Sequence, residues 1–134
     1  MPHLVILYTP NIDAKADVQA LCRALADVMV EVRAEDGKHV FPTGGVRVLA
    51  YPAAHSAVAD GKRDYAFAYL NLRMAKGRSD AVKRKTGELL MEKTRSYLTP
   101  LFDDGYLGVT LHIDEGQEVV DVKHSTIHPL FAKG

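Results

Sequence analysis

The hydrophobic pattern of this chain changes from strand to helix and back to strand twice, which limits the folds it can adopt. Residues 3–8 (HLVILY) form a short apolar run that ends at the turn signal TPN. Residues 13–34 then place apolar side chains at intervals of three and four, as one stripe of an amphipathic helix does. The run VRVLAY at residues 46–51 predicts a second strand. The first half therefore predicts a β-α-β unit.

The second half of the chain repeats this order. Residues 65–74 (YAFAYLNLRM) predict a long strand, and residues 80–101 have the apolar spacing of a second helix. Residues 107–113 (LGVTLHI) alternate apolar and small or polar side chains, as a strand with one buried face does. Residues 119–123 (VVDVK) favour a further short edge strand.

Polar residues next to the two predicted helices supply their end signals. Asn11 and Asp13 are both candidates for the N-cap of the first helix, because their side-chain oxygens can accept from unpaired backbone N–H groups. Gly37 lies near the end of that helix. Ser79 is placed to cap the second helix.

These elements predict an α+β fold in a single domain over residues 1–134. Each helix separates two strands by enough chain for a parallel crossover, and such crossovers are right-handed. The simplest packing is a four-stranded, mostly parallel sheet with both helices on one face. A chain of this length buries a real core without disulfides.

The face of the sheet without helices carries aromatic side chains. Along residues 65–74, Tyr65, Phe67 and Tyr69 alternate with small and aliphatic residues and so point away from the helices. Aromatic residues on an uncovered face form a large exposed apolar patch, and such patches mark interaction surfaces. The sequence therefore predicts a homo-oligomer whose subunits meet through their sheets.

Composition excludes several classes of partner and site. Lys+Arg and Asp+Glu number 17 each, so no basic excess indicates nucleic acid or an anionic membrane. Cys22 is the single cysteine, and the sequence shows no secretion signal, so we expect a cytoplasmic protein. The six histidines lack ligand spacing, and no glycine-rich phosphate loop is present. We expect neither a metal nor a cofactor.

Pro2 has two interpretations. Removal of an initiator methionine would leave its nitrogen as a free secondary amine, which could act as a base. Proline can equally begin an edge strand, where its missing N–H does no harm, and position alone favours that interpretation.

Two arginines lie near predicted strand and helix ends. Arg47 is inside the second strand after TGG, and Arg78 lies in the turn that begins the second helix. A guanidinium beside a helix N-terminus suits a carboxylate ligand. Taken singly, each is more commonly a surface charge.

The blocks PHLVILYTPNI, FPTGGVR, DGKRDYAF and KGRS, in this order and spacing, resemble the 5-carboxymethyl-2-hydroxymuconate isomerase family of the tautomerase superfamily. The resemblance covers nearly the whole chain, to the tail IHPLF. It implies a tautomerase-like β-α-β repeat that assembles as a homotrimer, and an enzyme of homoprotocatechuate catabolism without cofactor or metal. It also implies that Pro2 is the catalytic base and that Arg47 and Arg78 bind the carboxylates of a small unsaturated di- or tricarboxylate.

Such a reaction needs a proline amine whose pKa lies near the operating pH, since the base must later return its proton. Burial and neighbouring arginines would both lower that pKa. Two alternatives stay open at this stage. The same pocket could serve another tautomerase or dehalogenase-like reaction on an unsaturated carboxylate, or the chain could be a non-enzymatic trimeric binding protein.

Overall fold

The computed structural model describes residues 2–131, which form a four-stranded sheet with its main helices packed on one face. The strands are β1 (His3–Tyr8), β2 (Arg47–Pro52), β3 (Tyr65–Met74) and β4 (Tyr106–Glu115). The helices are α1 (Val18–Glu31), α2 (Asp80–Tyr97) and the short α3 (Thr99–Asp104). Three 3-10 turns lie at Pro10–Ile12, Thr43–Gly45 and His128–Phe131.

The sheet has the strand order β2-β1-β3-β4. The pairs β1–β2 and β3–β4 are parallel, as the two predicted crossovers require. The central pair β1–β3 is antiparallel and joins the two β-α-β units. The predicted α+β fold, with a mostly parallel four-stranded sheet and two main helices, is confirmed.

The core lies between the sheet and the two long helices. Alternate residues of β1 and β3 point into it, among them Leu4, Ile6, Leu70 and Leu72, which are at most 2% exposed. Two buried threonines of α2 lie in the same core and donate their hydroxyls to the carbonyl four residues earlier, which satisfies a polar group without another side chain. The helices cover one face of the sheet only.

The first helix begins later than its apolar pattern suggested. Its N-cap is Asp17, whose carboxylate accepts from the Ala20 backbone N–H at 3.0 Å. The predicted caps were wrong because both side chains are used elsewhere. Asn11 donates to the Tyr65 carbonyl at 2.8 Å, and Asp13 accepts from the Tyr8 hydroxyl at 2.9 Å.

The second predicted helix is two helices. Ser79 caps α2 as expected, since its hydroxyl accepts from the Val82 N–H at 3.2 Å. The helix stops at Leu98, and Pro100 lies in the first turn of α3. A proline has no N–H to continue the preceding ladder, so the chain restarts in a new direction.

The predicted edge strand at residues 119–123 is wrong. The Gly116 N–H donates to the Met74 carbonyl at 2.7 Å and so ends the pairing of β4 with β3, and residues 119–123 form no strand. Val119, Val120 and Val122 are 99%, 73% and 86% exposed and have no strand partner in the part of the chain described.

The face without helices is organised in rows because paired residues point to the same side. One row is Tyr51–Leu7–Tyr69–Thr110, the next is Leu49–Val5–Asn71–His112, and the last is Arg47–His3–Arg73–Asp114. Leu7, Leu49 and Tyr51 are about half exposed, and Phe67 of the predicted aromatic stripe is 36% exposed. The face without helices therefore changes from apolar at the row of Leu7 to charged at the row of His3.

Among residues 2–131, no helix has the length and apolar character needed to cross a membrane.

Ser79→Ala should lower the free energy of unfolding by about 1 kcal/mol, because the first turn of α2 loses its capping acceptor. Urea unfolding measures the change. Ser96→Ala is the matched control, since its exposed hydroxyl bonds only to the Lys93 carbonyl within the same helix. Equal stability of the two variants would contradict the capping role.

Candidate active site

The last of these rows, Arg47–His3–Arg73–Asp114, is the charged row, and it lies at the end of the sheet where β1 begins. His3 is paired with Arg47 at the start of β2 and with Arg73 near the end of β3. Arg73 is in turn paired with Asp114 of β4. Two guanidinium groups thus flank one imidazole on the face that no helix covers.

Pro2 directly precedes this row and is buried. Because β1 is an inner strand, Pro2 lies between the ends of two neighbouring strands and does not begin an edge strand. The edge-strand interpretation of Pro2 is therefore wrong. Removal of Met1, on which the amine hypothesis depends, concerns a residue outside those described.

His3 lies in surroundings that disfavour a positive charge. The pKa of His3 lies below its usual 6.5 because burial disfavours the charged ring and the positive charges of Arg47 and Arg73 repel it.

A groove of about 490 Å³ opens at the charged row. His3, Arg47 and Arg73 line it together with the end of β3 and the following residue, Ala75. Its other wall is the segment after β4, which contributes Glu118, Asp121, Val122, Lys123 and His124. The groove has the basic side chains and the volume expected of a site for a small anionic ligand.

Arg78 lies at the border of this groove and is not among its lining residues. Its guanidinium donates to the Ala75 carbonyl at 3.0 Å and to the Val40 carbonyl at 2.8 Å, and it lies 5.2 Å from the centre of the Phe41 ring. These bonds use two of the five N–H donors of a guanidinium. Of the three predicted site residues, Arg47 lines the groove and Arg78 is linked to it through Ala75. Pro2 directly precedes the charged row in the chain and is not among the lining residues.

The turn before Arg47 is supported by the end of the described chain. The 3-10 turn at Thr43–Gly45 packs against His128–Phe131. A methyl group on Gly44 would lie 2.9 Å from the His128 Cα atom, so only glycine permits this close approach. The Arg47 guanidinium donates to the Gly45 carbonyl at 3.2 Å. The tail thereby helps to hold the segment that orients Arg47.

Two members of the site, His3 and Arg73, were not predicted from the sequence. The alternation along β3 does place Arg73 on the open face, but only the antiparallel β1–β3 register brings it beside His3. The groove wall at residues 118–124 was also missed, because these residues carry a strand-like pattern and form none.

The family model described as 5-carboxymethyl-2-hydroxymuconate isomerase matches residues 2–131. The chain belongs to this family. A crystal structure of 5-carboxymethyl-2-hydroxymuconate delta-isomerase is 52% identical to it, with a TM-score of 0.94 over 100% of this chain and 95% of that one. The Escherichia coli 5-carboxymethyl-2-hydroxymuconate Delta-isomerase is 28% identical over 131 residues, which is 98% of this chain and 99% of the relative.

These similarities confirm the resemblance seen in the sequence, and this member of the 5-carboxymethyl-2-hydroxymuconate isomerase family is an isomerase. A fused 4-OT symmetric trimer is 19% identical, with a TM-score of 0.56 over 95% of this chain and 98% of that one. At that identity the similarity shows the shared tautomerase fold alone. Within residues 2–131 of the isomerase, no group of three or more His, Cys, Asp or Glu side chains could hold a metal ion.

Arg47→Gln and Arg73→Gln should each raise the pKa of His3, because each removes a positive charge that opposes protonation. NMR titration of the imidazole signals measures this, with His3→Gln identifying the resonance. Arg23→Gln, which changes an exposed arginine of α1 paired with Asp27, is the matched control and should leave the His3 titration unchanged.

The same shift has a consequence for stability. Because the folded pKa of His3 lies below the unfolded value of 6.5, the folded state binds fewer protons, and His3 costs stability as the pH falls through that range. A wild-type His3 that titrates above 6.5 would contradict the cationic environment.

Proposed function

We propose that this isomerase converts 5-carboxymethyl-2-hydroxymuconate into its 2-oxo-ene isomer, with the Pro2 amine as the group that takes and returns the proton. The family and the names of the relatives support the substrate. The observation that carries the mechanism is the burial of Pro2 beside a row that contains Arg47 and Arg73. We further propose that the enzyme acts in the cytoplasm, in homoprotocatechuate catabolism.

The reaction is a proton transfer along a conjugated system. The O–H bond of the dienol breaks, and the carbon that bore the hydroxyl group becomes a carbonyl carbon. The two C=C bonds shift into one, and the far carbon of the diene gains a C–H bond. The reaction needs no external oxidant or reductant. One group that first accepts the proton as a base and then donates it as an acid is sufficient to catalyse it.

The surroundings of Pro2 suit its nitrogen to this task. A proline amine is ordinarily too basic to release its proton readily near neutral pH. The adjacent His3 has its pKa lowered by burial and by the two arginines, and these causes act on a neighbouring ammonium in the same direction. Loss of Met1 is required, because an amide nitrogen has no such basicity.

Arg47 and Arg78 are proposed to bind substrate carboxylates. Arg47 lines the groove, and its planar fork can bind a carboxylate through two parallel bonds. Its charge would also stabilise the negative oxygen that develops as the dienol loses its proton. Arg78 keeps three N–H donors beyond its bonds to the Ala75 and Val40 carbonyls, and those carbonyls fix its guanidinium at the groove border.

Replacement of Pro2 tests the mechanism. Pro2→Ala should lower kcat/KM about 100-fold or more, because general acid–base catalysis contributes on that order. Some activity should remain, since alanine supplies a primary amine once methionine is removed. Intact mass measurement must show that both proteins begin at residue 2.

Pro10→Ala is the matched control, because Pro10 is an exposed proline of a 3-10 turn away from the groove, and its activity should be unchanged. A form that retains Met1 should be more impaired than Pro2→Ala, because its Pro2 nitrogen is an amide. Wild-type kcat/KM in Pro2→Ala protein of the correct mass would rule out the amine as the base.

We also propose that the enzyme is a homotrimer whose subunits meet through their open sheet faces. The half-exposed Leu7, Leu49 and Tyr51 on that face support this, since apolar patches of this kind mark interfaces. A fused 4-OT relative of the same fold is a symmetric trimer.

Light scattering should give a particle mass three times the 14.7 kDa of the chain. Leu7→Lys should shift the particles towards monomers, because it buries a charge between sheets. Leu89→Lys, on the helix side and 36% exposed, is the control and should leave the mass unchanged. A monomeric wild-type protein would refute the assembly.

A further inference from the structure

Arg73 is a second guanidinium in the same groove as Arg47. The two arginines flank His3 in adjacent strands, and all three side chains line the groove. The proposed mechanism assigns Arg47 and Arg78 to substrate carboxylates and gives Arg73 no contact with the substrate. A cation in a groove that already holds another one is electrostatically costly unless an anion offsets it.

The contacts of Arg73 show what kind of group it accepts. Its Nε atom lies 3.8 Å from the Glu118 Oε1 atom, beyond hydrogen-bonding distance, and the two side chains are 52% and 50% exposed. An exposed ion pair of this length is weak and easily exchanged. Asp114, its partner across the sheet, instead accepts from the Asn71 side-chain amide at 2.8 Å.

The proposed substrate carries three carboxylates, two on the muconate chain and one on the carboxymethyl arm. Arg47 and Arg78 account for two of them, and the third needs a cation in the same groove. We propose that Arg73 binds the carboxymethyl carboxylate, displacing Glu118, and so makes the enzyme selective for the tricarboxylate. This inference rests on the proposed function and names Arg73 as the residue that selects tricarboxylate substrates.

The location of Arg73 is compatible with the proposed assembly. The apolar rows that would meet between subunits begin at Val5 and Leu49, one row further along the sheet. The charged row lies at the sheet end, where residues 118–124 wall the groove. A ligand entering there reaches Arg73 and Arg47 from the same side.

The test compares two substrates that differ by the carboxymethyl arm, 5-carboxymethyl-2-hydroxymuconate and 2-hydroxymuconate. Arg73→Gln should lower kcat/KM for the tricarboxylate about 10- to 100-fold, mainly through KM, because one charge-assisted contact is lost. For 2-hydroxymuconate KM should stay within about threefold, and any loss should appear in kcat and its pH dependence, because Arg73 also helps to lower the pKa of the Pro2 amine. Arg73→Lys should recover part of the loss, since it restores the charge without the planar fork.

Two further variants sharpen the result. Glu118→Gln removes the competing carboxylate and should lower KM for the tricarboxylate alone. Arg23→Gln, in an exposed ion pair of α1, is the control and should behave as wild type with both substrates. Circular dichroism and particle mass establish that each variant is folded and assembled.

Equal losses with both substrates, or no loss with either, would overturn the assignment of Arg73. If Arg73→Gln does not fold, the KM values of Arg73→Lys and Glu118→Gln decide the matter, and unchanged selectivity in both overturns it. A wild-type protein inactive on both substrates would instead refute the proposed function, which separates the two failures.

Discussion

The antiparallel pairing of β1 with β3 is the contact on which the rest of the structure depends. Each β-α-β unit pairs its own strands in parallel, but neither unit alone brings two arginines together. The central register sets His3 opposite Arg73, and the parallel β1–β2 register sets it opposite Arg47. Because strand residues alternate between faces, a slip of one residue would turn Arg73 into the core and Met74 out of it.

That register also divides the two faces of the sheet by function. The helix-covered face is filled with aliphatic side chains such as Leu4 and Leu70 and supplies most of the hydrophobic stabilisation. The open face contributes less to folding of the single chain, so its residues are available for other purposes. Its apolar rows suit contact with other subunits, and its charged row suits an anion. One strand, β3, supplies both the floor of the core and a wall of the candidate site.

Much of the fold could be predicted from the sequence, because hydrophobic period is a local signal. The limits of β3 were predicted correctly, and Ser79 was correctly identified as a cap, since both depend on adjacent residues. The start of α1 was predicted wrongly because a tertiary hydrogen bond uses the Asn11 side chain. The segment at 119–123 was predicted wrongly because its strand-like pattern finds no strand partner in the part of the chain described. The sequence indicated Pro2 and Arg47 as separate candidates. That His3 and Arg73 also belong to the site could not be predicted, because strand pairing between distant segments brings them there.

The positive charges of the charged row are unfavourable for stability, and the same charges suit the row to bind an anion. Burial disfavours a charged His3 ring, and the two guanidinium groups disfavour it further, so the pKa of His3 is lowered. A fold selected for stability alone would place a neutral residue at one of these positions. In the proposed mechanism the same positive charges would keep the neighbouring Pro2 amine unprotonated. A carboxylate that enters the groove would offset those charges as the reacting end of the substrate meets the amine, so charges that are unfavourable in the empty groove would become favourable contacts in the complex.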